Sequence, residues 1–351
     1  MRKPGKSRAI AGILAGSWRR TPPHNEISPA ELKAICPALL ESGAGALAWW
    51  KMRHFALPSP SLEKLRASYL SNVVHGAQHE QQIASVSRVL RQAGIESILL
   101  KGWAVGRLYA EPSLRPPGDI DLCVAPEQKA TAENLLDRER FSDLNVDFDH
   151  AEISRFCSAT FAELLSRSNF AGLNGYQVRV LGAEDHLRVL CLHLLKHGAW
   201  RPLWLCDIAA ALESRPAGFD WKLCLGGNKR HARWVFCACE LARQILNVSA
   251  DDIPIHAPLP YWLLPAVLRQ WEEPPPDNVL LNLPLNRLLQ HPREAIGDLR
   301  RRWHNPIEVA IKADAEFNNF PKFPLQAADG IVRTFHFVAR RLPPNATNKD
   351  G

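Results

Sequence analysis

The apolar residues of this chain change their spacing over one stretch only, and that change limits what it can fold into. At Ile95 helical recurrence gives way to Ile95-Glu96-Ser97-Ile98-Leu99-Leu100, a short apolar run closed by Lys101-Gly102. It predicts a buried strand that turns into a helix over Trp103 to Tyr109. After a proline-rich loop, Glu111 to Gly118, the run Asp119-Ile120-Asp121-Leu122-Cys123-Val124 alternates polar with apolar residues and predicts a second strand. A helix is expected from Pro126 to about Arg138, a third strand over Leu144 to His150 and a fourth over Tyr176 to Leu181. On both sides the period is helical. Ser28 to Met52 reads as a helix kinked at Pro37, and Leu62 to Gln92 as one long helix or two stacked ones ending at Gly94. Downstream, helices are expected over Glu184 to Gly198, Trp204 to Leu212, Arg230 to Leu246, Pro260 to Gln270 and Glu294 to Trp303.

Few strands among many helices define an α+β protein. At 351 residues the chain exceeds what one compact core usually needs. The expected organisation is an N-terminal helical layer (1–94), a core with a small mixed sheet (95–182), a helical domain that shapes an acceptor site (183–342) and a frayed tail (343–351). A hydrophobic fraction of 46% with 11 tryptophans excludes wholesale disorder. The net charge of +7 favours polyanionic partners such as nucleotides or RNA without selecting one. The eight cysteines form no C-x-x-C pair and sit in apolar runs such as DLCVA, so they read as reduced core residues of a cytoplasmic protein. The basic N-terminus carries too few apolar residues for an export signal, and no window is apolar enough for a membrane span.

The chemistry concentrates at one place. In a strand, residues i and i+2 share a face, so Asp119 and Asp121 project together while Ile120 and Leu122 face the core. Two carboxylates so close repel unless a cation stands between them, and Mg²⁺, which prefers oxygen ligands and substrate phosphates, is the expected metal. Asp147 and Asp149 repeat the geometry in the third strand. If the second and third strands pair, a third carboxylate joins the first two; both Asp147 and Asp149 have the right parity, and Asp147 is preferred. Three acidic groups beside a Lys-Gly turn suit in-line displacement at phosphorus, with two Mg²⁺ ions clamping the attacking and leaving oxygens and the extra carboxylate taking the acceptor proton.

The string LLKG, a helix ending in LY, and then LRPPGDIDLCV resemble the signature of nucleotidyltransferases built on the DNA polymerase beta fold, and more closely a bacterial nucleotidyltransferase family within that superfamily. Downstream, LGAED, CLHLLKHG and WLCDI are similar to the helical part of the same family, so the likeness runs well from Ile95 to Leu212. The resemblance implies a minimal nucleotidyltransferase sheet and the metal-dependent transfer of a nucleoside monophosphate from an NTP such as ATP to a hydroxyl or phosphate acceptor. It implies Asp119 and Asp121 as paired metal ligands and Gly102 as the turn glycine that admits the nucleotide phosphates. The chain departs from the family at Trp103, where a small residue commonly follows that glycine.

Further phosphate-binding candidates are Lys101 at the strand end and Arg115 and Gly118 in the proline-rich loop. Lys196, with His193 and Asp207, is expected in a polar cluster that closes over the nucleotide. His193 and His197 share a helix face, yet a zinc site is set aside because no H-E-x-x-H or cysteine pair accompanies them. The acceptor is expected to be a small molecule or peptide. Two alternatives stand beside this reading: an inactive member that binds a nucleotide or a partner protein, and a toxin-like transferase that modifies tRNA, for which Arg300-Arg301-Arg302-Trp303 gives thin support.

Overall fold

The computed structural model describes residues 5–54, 58–139, 141, 144–148, 159–249, 252–254, 257–272 and 304–341, with the side chains of the last helix up to residue 333. The chain enters through helices α1 (Lys6–Leu14), α2 (Pro29–Glu41), α3 (Gly45–Met52) and the long α4 (Pro60–Gln92). α2 starts on a capping box: the Ser28 hydroxyl accepts from the Glu31 amide at 3.2 Å, and the Glu31 carboxylate accepts from the Ser28 amide at 3.1 Å. Pro37 stays inside α2, and the expected kinked helix is in fact two helices that break at the turn around Gly43. α4 is a single 33-residue helix, capped at Ser59 with Pro60 in its first turn and ending just before Gly94.

The sheet follows. Strands β1 (Ile98–Leu99), β2 (Ile120–Cys123), β3 (Val146–Phe148), β4 (Asn169–Leu173) and β5 (Tyr176–Val180) lie in the order β3-β2-β1-β5-β4. It is mixed: β1 runs antiparallel to β2 and parallel to β5, β2 runs parallel to β3, and β4 and β5 are antiparallel. The short α5 (Trp103–Gly106), α6 (Lys129–Arg138) and α7 (Phe161–Arg167) connect these strands. β4 escaped the sequence reading because Asn169-Phe170-Ala171-Gly172-Leu173 offers only Ala171 and Leu173 to the core and ends in a two-residue turn. The helical half comprises α8 (Ala183–Lys196), α9 (Pro202–Glu213), α10 (Trp221–Leu225), α11 (Lys229–Leu246), α12 (Leu263–Glu272), α13 (Pro306–Lys312) and α14 (Phe323–Arg341). The expected helix over Glu294 to Trp303, and with it the arginine tract, lies outside the described residues.

Three apolar clusters organise the molecule. The largest joins N-terminal residues such as Ile13, Leu39 and Leu65 to Leu194, Leu205, Trp234 and Ile307 of the helical half. A second fills one face of the sheet with Leu99, Ile120, Leu122 and Val180, covered by Ile83, Val86 and Leu90 of α4 and by Leu136 of α6. α4 therefore spans both, its first turns in the helical core and its last turns on the sheet. The third, on the opposite sheet face, holds Ile98, Leu100, Cys123, Leu164 and Leu181. The described cysteines are all reduced and buried. Among the described residues no helix is long and apolar enough to cross a membrane.

Candidate functional site

The alternation in β2 sends Ile120 and Leu122 into the α4-covered core, which leaves Asp119 and Asp121 to the opposite face, beside Cys123. The parallel pairing of β2 with β3 sets Asp121 directly opposite Asp147, so the expected third carboxylate stands on the same face, one strand over. Asp119 is exposed and accepts a hydrogen bond from the side-chain amide of Asn145. Asp121 is far more enclosed, with 14% of its side chain exposed, and receives the ammonium of Lys101 at 2.9 Å. Asp147 is exposed at the sheet edge, and Asp149 lies outside the described residues. Among the described residues no three His, Cys, Asp or Glu side chains are gathered closely enough to form a metal cage by themselves.

The turn between β1 and α5 delivers Lys101, which is buried, and Gly102, whose φ of 60° and ψ of −115° suit glycine alone. A Cβ at Gly102 would lie 3.5 Å from the Asp119 carbonyl oxygen and 4.0 Å from Arg115 Nη1, so this turn faces the loop that carries the first carboxylate. Trp103 points away, into the sheet core. Its indole donates to Glu80 of α4 at 3.0 Å, and Arg107 lies over its ring. Gly118 has nothing within 4 Å of where a Cβ would stand, so no steric demand for glycine exists there.

Arg115 is committed. Its Nε donates to Asp207 Oδ1 at 3.0 Å and its Nη2 to Oδ2 at 3.2 Å, while the Tyr109 hydroxyl donates to the same carboxylate at 2.6 Å. Asp207 thus meets the loop and Tyr109, just past the end of α5, whereas the sequence pointed it toward His193 and Lys196. Burial opposes the Arg115 charge, but the Asp207 carboxylate outweighs it and raises the guanidinium's pKa; burial first, and Asp207 second, push the Tyr109 phenol well up. Two further bonds pin the same loop to α4: Tyr69 donates to Glu111 at 2.6 Å, and Asn72 donates to the Ser113 carbonyl at 3.0 Å. The segment leading into Asp119 is therefore held on three sides before any ligand arrives.

The helical half supplies the remaining wall. The His193 ring packs 4.6 Å from His197 and 4.7 Å from Trp204, and Arg201 lies over both Trp200 and Trp204. Burial, then the nearby charge of Lys101, then His197, Arg115 and Arg201, hold the His193 imidazole neutral, with its pKa pushed down to about 2. Its Nδ1 is buried without a hydrogen-bond partner. Lys196 stands in the last turn of α8, half-buried. Sequence reasoning missed Arg201, His79 and His186. His79 and His186 are both buried and both feel Arg115. The seven-residue step from His186 to His193, two turns of one helix, was the available signal for His186. For Arg201 it was a cation set between Trp200 and Pro202.

The model of a family described as uncharacterised nucleotidyltransferase matches residues 46–247 of this chain. Among solved structures, an antigenic nucleotidyltransferase-like protein from Paracoccidioides brasiliensis is similar at 16% identity and a TM-score of 0.37, over 50% of this chain and 96% of that one. No curated protein matches.

Proposed function

Given that the chain belongs to this family of nucleotidyltransferases, we propose that it transfers a nucleoside monophosphate from an NTP to an acceptor oxygen and releases pyrophosphate. The observation that carries this reading is the β2–β3 register, which brings Asp121 opposite Asp147 on the face already occupied by Asp119, beside the Lys101-Gly102 turn. The donor set fits Mg²⁺: it is made of carboxylates alone, and this ion is commonly held by one or two of them together with substrate phosphates, so no complete protein cage is required. Asp119 and Asp121, with Asp147 beside them, would hold it, and when bound it supplies neutralisation of the charge that builds on the phosphate oxygens.

The chain's own groups do the rest. Lys101 acts as the counter-ion of Asp121, its ammonium 2.9 Å from that enclosed carboxylate. An arriving triphosphate gives the Lys101 ammonium a second anion to serve, and its three N–H donors allow it to bridge carboxylate and phosphate. Gly102, without a Cβ, lets those phosphates approach the backbone at the start of α5. Arg115 acts through position: locked to Asp207, it orients the loop that presents Asp119. Preorganisation of this kind raises rate, because the carboxylates need no reordering when substrate binds.

The test is incubation with NTPs labelled at the α-phosphorus and a panel of acceptors, comparing wild type with Asp121→Asn. Label transfer that depends on Mg²⁺ and is lost in the variant supports the assignment; transfer that persists unchanged refutes it. The Lys101–Asp121 ion pair also favours a second reading, a member of the family that binds nucleotide without turning it over. Nucleotide binding in calorimetry with no label transfer to any acceptor would select that reading.

A further inference from the structure

Three cations border the carboxylate face, and they are not equally occupied. Lys101 is paired with Asp121 and Arg115 with Asp207. Arg201 is different. Its Nε donates to the Ser42 carbonyl at 3.2 Å, its guanidinium lies 5.4 Å from the Trp200 ring centre and 5.2 Å from that of Trp204, and among the described residues no carboxylate forms an ion pair with it. Its Nη2 would stand 3.0 Å from a Cβ at Gly43, which would also meet Pro116 Cγ at 3.1 Å, so the head group lies against the loop that ends in Asp119. Arg201 is half-buried, and the charges of Asp207 and Asp119 favour its ionised form without pairing with it, so the guanidinium keeps donors that no described carboxylate engages. Beside it stands His193, with its unpartnered Nδ1.

We propose that Arg201, on the wall shared with His193 and Trp204, receives a phosphomonoester group of the acceptor, so that the nucleotidyl group is transferred to a phosphate oxygen. This rests on the nucleotidyltransferase reading above and narrows it to one acceptor class. The balance is simple. A terminal oxygen of the acceptor phosphate forms a bond to the α-phosphorus of the NTP, the bond from that phosphorus to the bridging oxygen breaks, and pyrophosphate leaves with the electron pair. The product contains a new pyrophosphate linkage. A phosphomonoester with a second pKa near 6 is already largely a dianion at neutral pH, so no side chain must remove a proton from it. Asp147, exposed on the edge strand, is then not required as a base. Arg201 comes from the helical half, whereas Lys101 and Gly102 stand in the turn that follows β1. This division assigns the NTP phosphates to the turn and the acceptor phosphate to the guanidinium.

The probe is inorganic phosphate, followed by calorimetry and by the fluorescence of the tryptophans, without metal or nucleotide. Wild type is expected to bind it, Arg201→Gln to bind at least tenfold more weakly, and Arg201→Lys to fall between the two. Phosphate should raise the melting temperature of wild type and leave that of Arg201→Gln unchanged, which separates loss of binding from loss of fold; equal affinity in wild type and Arg201→Gln, or no phosphate-dependent rise in wild type, overturns the proposal. A second arm adds a non-hydrolysable NTP analogue with Mg²⁺. Phosphate that remains bound supports an acceptor subsite, whereas phosphate displaced by the analogue, with pyrophosphate and NTP weakened in Arg201→Gln, assigns the guanidinium to the triphosphate and overturns it. Because the first arm contains no NTP, its failure leaves the transferase reading standing, and a failure of label transfer leaves the phosphate site standing.

Discussion

Replacing Asp207 by asparagine removes one negative charge from a place where it serves two partners. The carboxylate is buried at 1% exposure and holds Arg115 through two nitrogens and Tyr109 through its hydroxyl. Asparagine keeps the size and one acceptor oxygen, so packing survives while Arg115 loses its counter-ion inside the protein. Breaking a buried pair in this way costs about 3–5 kcal/mol, because the remaining charge is left unpaired. For a unit of this size that is a fall in melting temperature on the order of 10 °C. The loop from Glu111 to Asp119 loses one of its three anchors, so nucleotidyl transfer should fall along with stability. The assay is thermal and urea unfolding by circular dichroism for Asp207→Asn, Arg115→Met and the double variant Arg115→Met/Asp207→Leu. The double variant should recover part of the loss, since an apolar pair replaces an ionic one without stranding a charge, while the buried Tyr109 hydroxyl still loses its acceptor. An Asp207→Asn protein that melts within about 2 °C of wild type, or a double variant whose loss is the sum of the single losses, would refute the argument.

Gly102→Ala should destabilise by about 1–3 kcal/mol through backbone strain alone, since its Cβ would clear its neighbours while φ is 60°; Gly118→Ala, with open space around it, should be near neutral, and parallel melting curves compare the two. His186 makes stability pH-dependent. Burial first, then Arg107 and Arg115, push its pKa down to about 4, so the neutral form is favoured by folding. The contribution is complete above the ordinary histidine value near 6.5 and is lost as pH falls from there toward 4. It amounts to about 3 kcal/mol, and urea midpoints measured from pH 7 to pH 4 should fall less steeply in His186→Asn than in wild type. Lys101→Met should leave Asp121 without its ammonium and weaken NTP binding roughly tenfold, measured by calorimetry with Mg²⁺ present.

Much of the sheet was legible because its signals are local. The alternation through Asp119-Ile120-Asp121-Leu122 fixes which face each side chain takes, and β2 appears where that pattern places it, with Asp121 toward the site and Leu122 in the core. The pairing partner of β2 is not local; only the structure supplies the parallel register that brings in Asp147. Arg115 shows the limit most clearly. A loop arginine four residues before a carboxylate reads as a phosphate ligand, yet its partner is 92 residues away in a helix whose own sequence pattern is almost wholly apolar. Buried ion pairs between distant segments leave no periodic trace. The same holds for Arg201, whose hydrogen-bond partner, the Ser42 carbonyl, lies 159 residues away. The kink expected at Pro37 became an unbroken helix because α2 packs its buried face around Ile35, Cys36 and Leu39, and the chain turns instead around Gly43.

If the β2 carboxylates hold a divalent cation against a triphosphate, Mn²⁺, a paramagnetic stand-in for Mg²⁺, reports it directly. Electron paramagnetic resonance titration of Mn²⁺ into the protein with a non-hydrolysable ATP analogue should show protein-bound ion in wild type and an affinity at least roughly tenfold lower in Asp119→Asn/Asp121→Asn. Equal Mn²⁺ binding by the two proteins, both folded, would contradict it.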